Sequence, residues 1–351
     1  MIGRRSLLLA GAAIPTAAYG QCVINAPAVD ACLGGVRNAG PAGATLDLNF
    51  MFPGSMPPGV TFSRASTATY TDASGVIQTA AVNQPRWDYA GGSLRGVLIE
   101  EARTNLLLNS ATLSTQSVAV TAQAYTLSFY GTGTVTKSGA ATGALVGTGA
   151  GQRVTQTFTP TAGTLTLTVT GSVTNAQIEA GFATSWISTA GATATRAMDV
   201  CYIPTNVSWF NPNAWTLALS FYGPLTTGGC GGFSDGTFGN SAYLAVDGNP
   251  YAGMTYAPTG GGTAYAPAGS IVSRAGLNKL CSGFTPTRLA MAANGSAVGS
   301  IAMTTAALTT ATRLSLGNDP WSLTTAACVA LRQAGVWPRA LPDAEMQQVT
   351  T

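Results

Sequence analysis

Whatever chemistry this chain does is done without histidine. None occurs in its 351 residues. A Ser-His-Asp or Cys-His nucleophile system therefore cannot be assembled, nor can a His-ligated zinc or iron site. What remains is a set of carboxylates, arginines, aromatics and cysteines. The first two are concentrated. Only 8% of the chain is charged, yet the stretch from Phe62 to Ser110 holds Arg64, Asp72, Arg86, Asp88, Arg95, Glu100, Glu101 and Arg103. Charges that leave water need partners. The block reads either as a docking surface for another protein or as an internal clamp in which Arg64, Arg86, Arg95 and Arg103 pair with Asp88, Glu100 and Glu101. The planar guanidinium can bond a carboxylate at two points, which favours the clamp.

Paired carboxylates could instead cleave glycosides. A retaining glycosidase needs two carboxyl groups about 5–5.5 Å apart. No E-x-D-x-x-E string supplies them, and the adjacent Glu100 and Glu101 would point to opposite faces of a strand. A non-enzymatic protein is expected. Sugar binding needs less, because the apolar face of a pyranose stacks on an aromatic ring while nearby polar groups bond its hydroxyls. Trp209, Trp215, Trp321 and Trp337 lie in the C-terminal part, and Tyr243, Tyr251, Tyr256 and Tyr265 lie in or beside the Gly- and Pro-rich segment 228–269, where long loops are expected. Trp215 and Trp337 read as core residues. Trp321 after Asp319-Pro320, Tyr251 after Asn249-Pro250, and Tyr256, with Asp247 and Asn249 as polar neighbours, are the candidate glycan-binding residues. Asp235, Asp247, Asn249, Asn318 and Asp319 could offer oxygens to calcium. The same residues are ordinary turn formers and no D-x-D-x-D-G loop is present, so no cofactor is expected and calcium is the weaker reading.

The six cysteines (Cys22, Cys32, Cys201, Cys230, Cys281, Cys328) contain no CxxC pair. Their even count and wide spacing suit disulfides in an oxidising compartment; the alternative is a set of small buried thiols. Lysine occurs only at 137 and 279 and the net charge is +3, so nucleic acid is not an expected partner. At the N-terminus, Arg4-Arg5, the apolar run Leu7–Ala17 and Ala18-Tyr19-Gly20 read as an export signal cleaved after Gly20. The alternative is a peptide that docks in an assembly.

The elements that must position these side chains are strands. Residues 21–45 are a linker without periodicity. LDLNF, VTFSRASTATYTD, VIQTAAV and RGVLIEE follow, with Asp72-Ala73-Ser74-Gly75 as a hairpin turn. From 111 to 198, short alternating runs such as YTLSFYG, TVTKSG, RVTQTFTP and GTLTLTVTG are separated by turn residues, the pattern of a small jelly roll. From 199 to 351 come AWTLALSFYG, AYLAVDG, TRLSLGN and CVALRQAGVW, with Asn294-Gly295 as a type I′ hairpin turn. Only LPDAEMQQVT reads as helix, with Leu341, Met346 and Val349 on one face. The expected fold is all-β: tandem antiparallel β-sandwiches and a short C-terminal helix. The expected divisions are 1–20, 21–45, 46–110, 111–198 and 199–351.

The block FSRASTATYTDASGVIQTAAVNQPRWDY, the following RGVLIEEARTNLLLNS, and QIEAGFATSWISTAGATATRAMDV at 177–200 resemble a module of bacteriophage and prophage virion proteins, chiefly tail-fibre and head-spike components. In that family the last piece closes a small carbohydrate-binding-module-like jelly roll. Residues 199–351, through WTLALSFYG, NGSAVGS, RLSLGN and VALRQAGVWPRALPDAEMQQV, are similar to laminin-G or concanavalin-A-like lectin domains. The resemblance implies a structural protein on a virion surface whose partners are other virion proteins and a bacterial surface glycan. It also implies a homo-oligomer, a trimer being the usual state of fibres. A secreted bacterial carbohydrate-binding protein with no virion role is the alternative, and a glycosidase comes third.

Overall fold

The computed structural model describes residues 41–206, 208–223, 228–246, 251–257, 264–271, 276–327 and 329–351. The 1–20 peptide and most of the 21–45 linker lie outside the described residues. Everything described is antiparallel strand and turn except the helix Asp343–Thr350 and a short 3-10 turn at Phe238–Asn240.

Two sheets form the larger sandwich. In one, the strands run in the order Gly299–Ala302, Arg288–Ala293, Leu277–Thr285, Trp215–Tyr222, Val329–Trp337, Ser93–Ile99 and Trp87–Ala90. Leu46–Asn49 also pairs with Val329–Trp337, end to end with Ser93–Ile99 along one side of it. The facing sheet runs Thr61–Ser63, Val200–Pro204, Arg313–Leu316, Gly228–Ser234, Ser241–Val246, Tyr251–Ala257 and Ala264–Ile271. Alternate residues of both sheets meet in one apolar core. At its centre the rings of Phe210 and Phe233 stack with centroids 4.5 Å apart, and Trp215 packs against Phe233 at 4.9 Å and Phe284 at 5.5 Å. The smaller jelly roll has one sheet of Gly143–Val146, Thr134–Gly139, Gly163–Thr170 and Gln116–Val120. Its other sheet is Gly149–Phe158, Tyr125–Gly131 and Thr174–Ala180. Leu127, Phe129, Val135, Leu165, Leu167 and Ile178 fill the space between them.

Hydrogen bonding crosses the division expected at 110. Strands from 46–99 belong to both sheets of the sandwich that 199–351 completes, so the jelly roll is an excursion inserted between two halves of one larger body. Alternation reports that a segment is a strand and which face it buries; it is silent on which distant strand it joins. The segment 228–269 likewise departs from the expected long loops, since most of it is hairpin strand. Its proline-containing member, Ala264–Ile271, is at the end of the sheet order, where a missing N–H costs no ladder bond.

Local signals behave as their chemistry requires. Asn294 and Gly295 take φ of 48° and 74° at the tip of the hairpin between Arg288–Ala293 and Gly299–Ala302, the positive values that a type I′ turn demands. In the other turn, Gly75 donates to the Asp72 carbonyl at 2.9 Å. The C-terminal helix buries Met346 with Leu341 and Trp337 against Ala218, Cys281, Ala290 and Ala292 on the outer face of the larger sheet. Cys201, Cys230 and Cys281 correct the disulfide expectation where they are concerned. All three are free thiols in the interior, and burial raises their pKa, that of Cys230 to about 12. They remain protonated and inert. Cys22, Cys32 and Cys328 lie outside the described residues.

One glycine fixes how the first half joins the second. The pairing of Trp87–Ala90 with Ser93–Ile99 slips between Asp88 and Tyr89, leaving Arg95 as the extra residue of a β-bulge. Gly96 then takes φ +140°, and a Cβ there would lie 2.1 Å from the Leu331 carbonyl oxygen. Gly96→Ala is expected to lower the unfolding free energy by at least about 2 kcal/mol, read as a lower urea midpoint at unchanged m. An unshifted midpoint would show that the strand gives way freely.

Candidate functional site

The charged block is assembled by the chain's exit into the jelly roll and its return. Ser93–Ile99 ends at Glu100, and the chain re-enters the sandwich through Asp199, one residue before Val200–Pro204. These two acids lie side by side. The Glu100 N–H donates to Asp199 Oδ2 at 2.9 Å, and the Asp199 N–H donates to the Glu100 carbonyl at 2.9 Å. Between their carboxylates sits Arg86, with Nη2 2.5 Å from Asp199 Oδ2 and Nη1 2.8 Å from Glu100 Oε2. Arg64 reaches the other Asp199 oxygen at 3.0 Å, and Arg196 reaches Glu100 Oε2 at 3.1 Å. None of these five residues is more than 4% exposed.

Spare donors and acceptors are used on the backbone. Arg64 donates to the carbonyls of Ser66 and Ala81, Arg86 to that of Thr69, and Arg196 to that of Glu101. Ser185 gives Glu100 both its N–H, at 2.7 Å, and its hydroxyl, at 2.6 Å. A further buried carboxylate, Glu179, accepts from the Thr184 N–H and hydroxyl, and that hydroxyl in turn accepts from Arg196. Burial would raise the pKa of Glu100, but Arg196, Arg86 and the Ser185 bonds outweigh it and hold it at about 2. For Glu179 burial wins and the pKa is raised.

The other charges of the block are peripheral. Arg95 stands 3.8 Å from Asp88, both partly exposed, and burial pushes Asp88 up to about 6. Arg103 pairs with Glu101 and lies over the Phe182 ring. Asp199 and Arg196 were missed from sequence because they sit about a hundred residues from the block. Their signal was present all the same, in the second matching segment at 177–200.

Such a knot cannot act on a substrate. Its carboxylates are sealed from solvent and already held by several donors. The surface offers another arrangement. Trp321, partly exposed, meets Tyr243 edge-on at 4.7 Å and Phe238 at 5.2 Å, and Phe238 is 47% exposed. Both supporting turns are tied down. Asp319 accepts from the Thr325 N–H and hydroxyl and from Ser322, while Arg313 donates to the carbonyls of Pro320 and Trp321. On the other side Asp235 accepts from Thr237 and Asn240, and Ser241 donates to the Phe238 carbonyl. The rings therefore form a fixed aromatic platform rather than a mobile loop tip. Phe238 escaped sequence reasoning; its only signal was a large apolar residue in a run of turn formers, Asp235-Gly236-Thr237-Phe238-Gly239-Asn240.

Of the remaining candidates, Tyr251 and Tyr256 occupy the strand Tyr251–Ala257, while Asp247 and Asn249 lie outside the described residues. Among the described calcium candidates, Asp235 and Asp319 close the turns just given, and Asn318 accepts from the Cys201 N–H and donates to the Asp199 carbonyl. Among the described residues no group of three acidic, histidine or cysteine side chains could hold a metal.

No family model and no curated protein matches the sequence. Among solved structures, the chain is similar to the CBM40 of a Ruminococcus gnavus IT-sialidase, with 19% identity over 40% of this chain and 84% of that one and a TM-score of 0.33. It is similar to the NanB sialidase from Streptococcus pneumoniae at 13% identity, over 40% of this chain and 25% of that one, TM-score 0.33. The binding domain of botulinum neurotoxin DC, in complex with SialylT, aligns at 6% identity over 43% of this chain and 39% of that one, TM-score 0.31. Scores below 0.5 carry no argument about ligand or activity, which must come from the chain's own side chains.

The knot makes stability depend on acid. Glu100 titrates at about 2 in the fold against an ordinary 4.5, so its contribution is complete above pH 4.5 and is lost as pH falls towards 2. The amount is on the order of 3 kcal/mol. Asp88 and Glu179, with raised pKa values, work in the opposite direction, their contributions fading as pH rises. Glu100→Gln is expected to cost about 3–5 kcal/mol at pH 7 by leaving Arg196 without its carboxylate and Arg86 with Asp199 alone. It should also flatten the wild-type loss of stability between pH 4.5 and 2 in urea titrations. A variant with the wild-type slope would remove Glu100 as its source.

Proposed function

We propose that this protein is a non-catalytic glycan-binding protein that presents the Phe238–Tyr243–Trp321 platform to a bacterial surface polysaccharide. The single observation behind the reading is that platform: three rings in contact, one nearly half exposed, on turns locked by Asp235, Asp319 and Arg313. A fixed aromatic face binds the apolar side of a pyranose without first losing its own freedom. Against catalysis stands the sealing of the neighbouring carboxylates Glu100 and Asp199, which no sugar can approach.

We further propose that the protein is displayed on a phage or prophage particle, as a fibre or spike component assembled as a homo-oligomer with other virion proteins. What supports this is the resemblance of 62–110 and 177–200 to virion modules, together with the way the charges of both segments meet in one knot. The alternative of a secreted protein is favoured by one feature, the basic and apolar N-terminal sequence from Arg4 to Gly20.

Replacing Trp321 and Phe238 together by alanine is expected to weaken retention on an array of bacterial surface polysaccharides by at least about tenfold with little change in Tm, since both rings are partly in solvent. No polysaccharide retained by the wild type at millimolar concentration would leave only a structural role. The virion location is tested by immunogold labelling of purified particles under negative stain. Labelled particles are expected; particles that never carry the label would reject it in favour of secretion.

A further inference from the structure

A second concavity lies far along the sequence from the platform, on the other half of the larger sandwich. Here the strand Trp87–Ala90, the hairpin formed by Ala68–Thr71 and Ile77–Ala80, and the Pro53-Gly54 turn border an open cleft of about 560 Å³. That volume is in the range of small-ligand sites, about 300–1,000 Å³. Its walls carry Tyr70, Trp87 and Tyr89, with Asp72, Thr79 and Gln84 among the polar groups.

The aromatic wall is fixed. Trp87 donates its indole N–H to the Phe50 carbonyl at 3.2 Å and is only 8% exposed. Arg86, its chain neighbour, is locked in the ionic knot. The carboxylate is fixed as well, since Asp72 accepts from the N–H groups of Ser74 and Val76 and from the Gln78 amide. These bonds, the Gln78 one foremost, lower its pKa, so it stands ionised. Oδ1 already holds two donors, whereas Oδ2 accepts from Gln78 alone and keeps capacity for another. By contrast, the hydroxyls of Tyr70, Tyr89 and Thr79 and the side-chain amide of Gln84 bond to no other described residue. No lysine or arginine is among the lining residues, so the one charge in the wall is negative.

We propose that this cleft is a second binding site, selective for neutral saccharides. The partly exposed rings of Tyr70 and Tyr89 suit pyranose contact, with Trp87 as the buried floor beside them. The ionised Asp72 takes a sugar hydroxyl as donor, and the solvent-facing hydroxyls and amide complete the bonding. An acidic sugar would bring its carboxylate against Asp72 with no lining cation to offset it, a repulsion that disfavours it. A quaternary ammonium also likes an aromatic and acidic site. It would fill only a small part of this volume and make no use of the hydroxyls and amide of Tyr70, Tyr89 and Gln84, which favours the polyhydroxylated ligand.

The test is calorimetric titration of the full chain with neutral trisaccharides (maltotriose, cellotriose, mannotriose and chitotriose), with 3′-sialyllactose as the acidic probe and choline as the cationic one. At least one neutral trisaccharide is expected to bind with a Kd of about 1 mM or tighter, and sialyllactose at least about tenfold more weakly. Tyr89→Ala and Asp72→Asn should each weaken the neutral ligand about tenfold, with the far-ultraviolet spectrum of Asp72→Asn unchanged and its Tm only slightly lower, because asparagine keeps the bonds from Ser74 and Val76 and loses only the exposed one from Gln78. Trp321→Ala combined with Phe238→Ala should leave this binding intact, so failure here and failure of the platform are separate results. The proposal is overturned if no neutral trisaccharide binds up to about 10 mM, if binding survives both cleft substitutions, or if choline binds where the neutral sugars do not.

Discussion

The guanidinium of Arg86, held between Glu100 and Asp199, is the contact on which the rest of the molecule depends. Its two carboxylates mark the points where the chain leaves the larger sandwich for the jelly roll and where it returns. Arg64 and Arg196 join from two more segments. Taking five charges out of water is expensive, and a well-packed apolar cluster of the same volume could be equally stable. What the charges add is a penalty for error. A strand slipped by one residue, or a jelly roll closed in the wrong register, would leave a buried ion without its partner, at a cost of several kcal/mol. The knot thus selects one closure among many that an alternating, charge-poor sequence would otherwise tolerate.

The same device recurs at several loops of this fold. Arg64 ties the carbonyls of Ser66 and Ala81, Arg153 that of Thr184, Arg196 that of Glu101, and Arg313 those of Pro320 and Trp321. A fork of fixed N–H vectors can meet two carbonyls at once and keeps its charge when buried, whereas an ammonium on a flexible stem does neither well. This accounts for the composition. Only two of the sixteen basic residues are lysines, and three of the largest fully buried side chains are arginines. In most soluble proteins charge is a surface property; here much of it is internal scaffolding.

That inversion also decides what could be read from the sequence. Alternation and turn residues reveal the strands from Leu46 onward, the Asn294-Gly295 hairpin and the terminal helix, because each is set within a few residues by backbone preference. The density of charge around Arg86 and Glu100 likewise reveals that something there is paired. Which partners close the knot is a matter of topology. Asp199 and Arg196 lie beyond the whole jelly roll, and no local pattern joins them to Arg64. The sharing of sheets between 46–99 and 200–351 is hidden for the same reason. Hairpin strands took the place of the loops expected in 228–269 because Gly and Pro were weighed as breakers. In an edge hairpin, though, glycine admits a bulge and proline forfeits only an unused donor. Trp321 was legible as a surface aromatic after Asp319-Pro320. Phe238, its partner across the platform, was not, since contact between two turns leaves no mark in either.

With charge used inside, the proposed binding surfaces would recognise by short-range means. The platform offers ring faces, and the cleft offers ring faces, hydroxyls, an amide and one carboxylate. Neither presents the cationic field that draws an acidic ligand from a distance. Contacts of this kind are individually weak, and salt hardly affects them because screening acts on separated charges. On the proposed reading, strong attachment would have to come from repetition. A polymer with many identical rings can engage one site while holding the next unit near a second, so that the second contact forms at high effective concentration. This gain survives only if the sites keep a constant separation. Rigidity between them is supplied by the shared sheets and by the buried ions that fix those sheets in place. The knot that takes no part in binding is therefore what would let two weak surfaces act as one strong one.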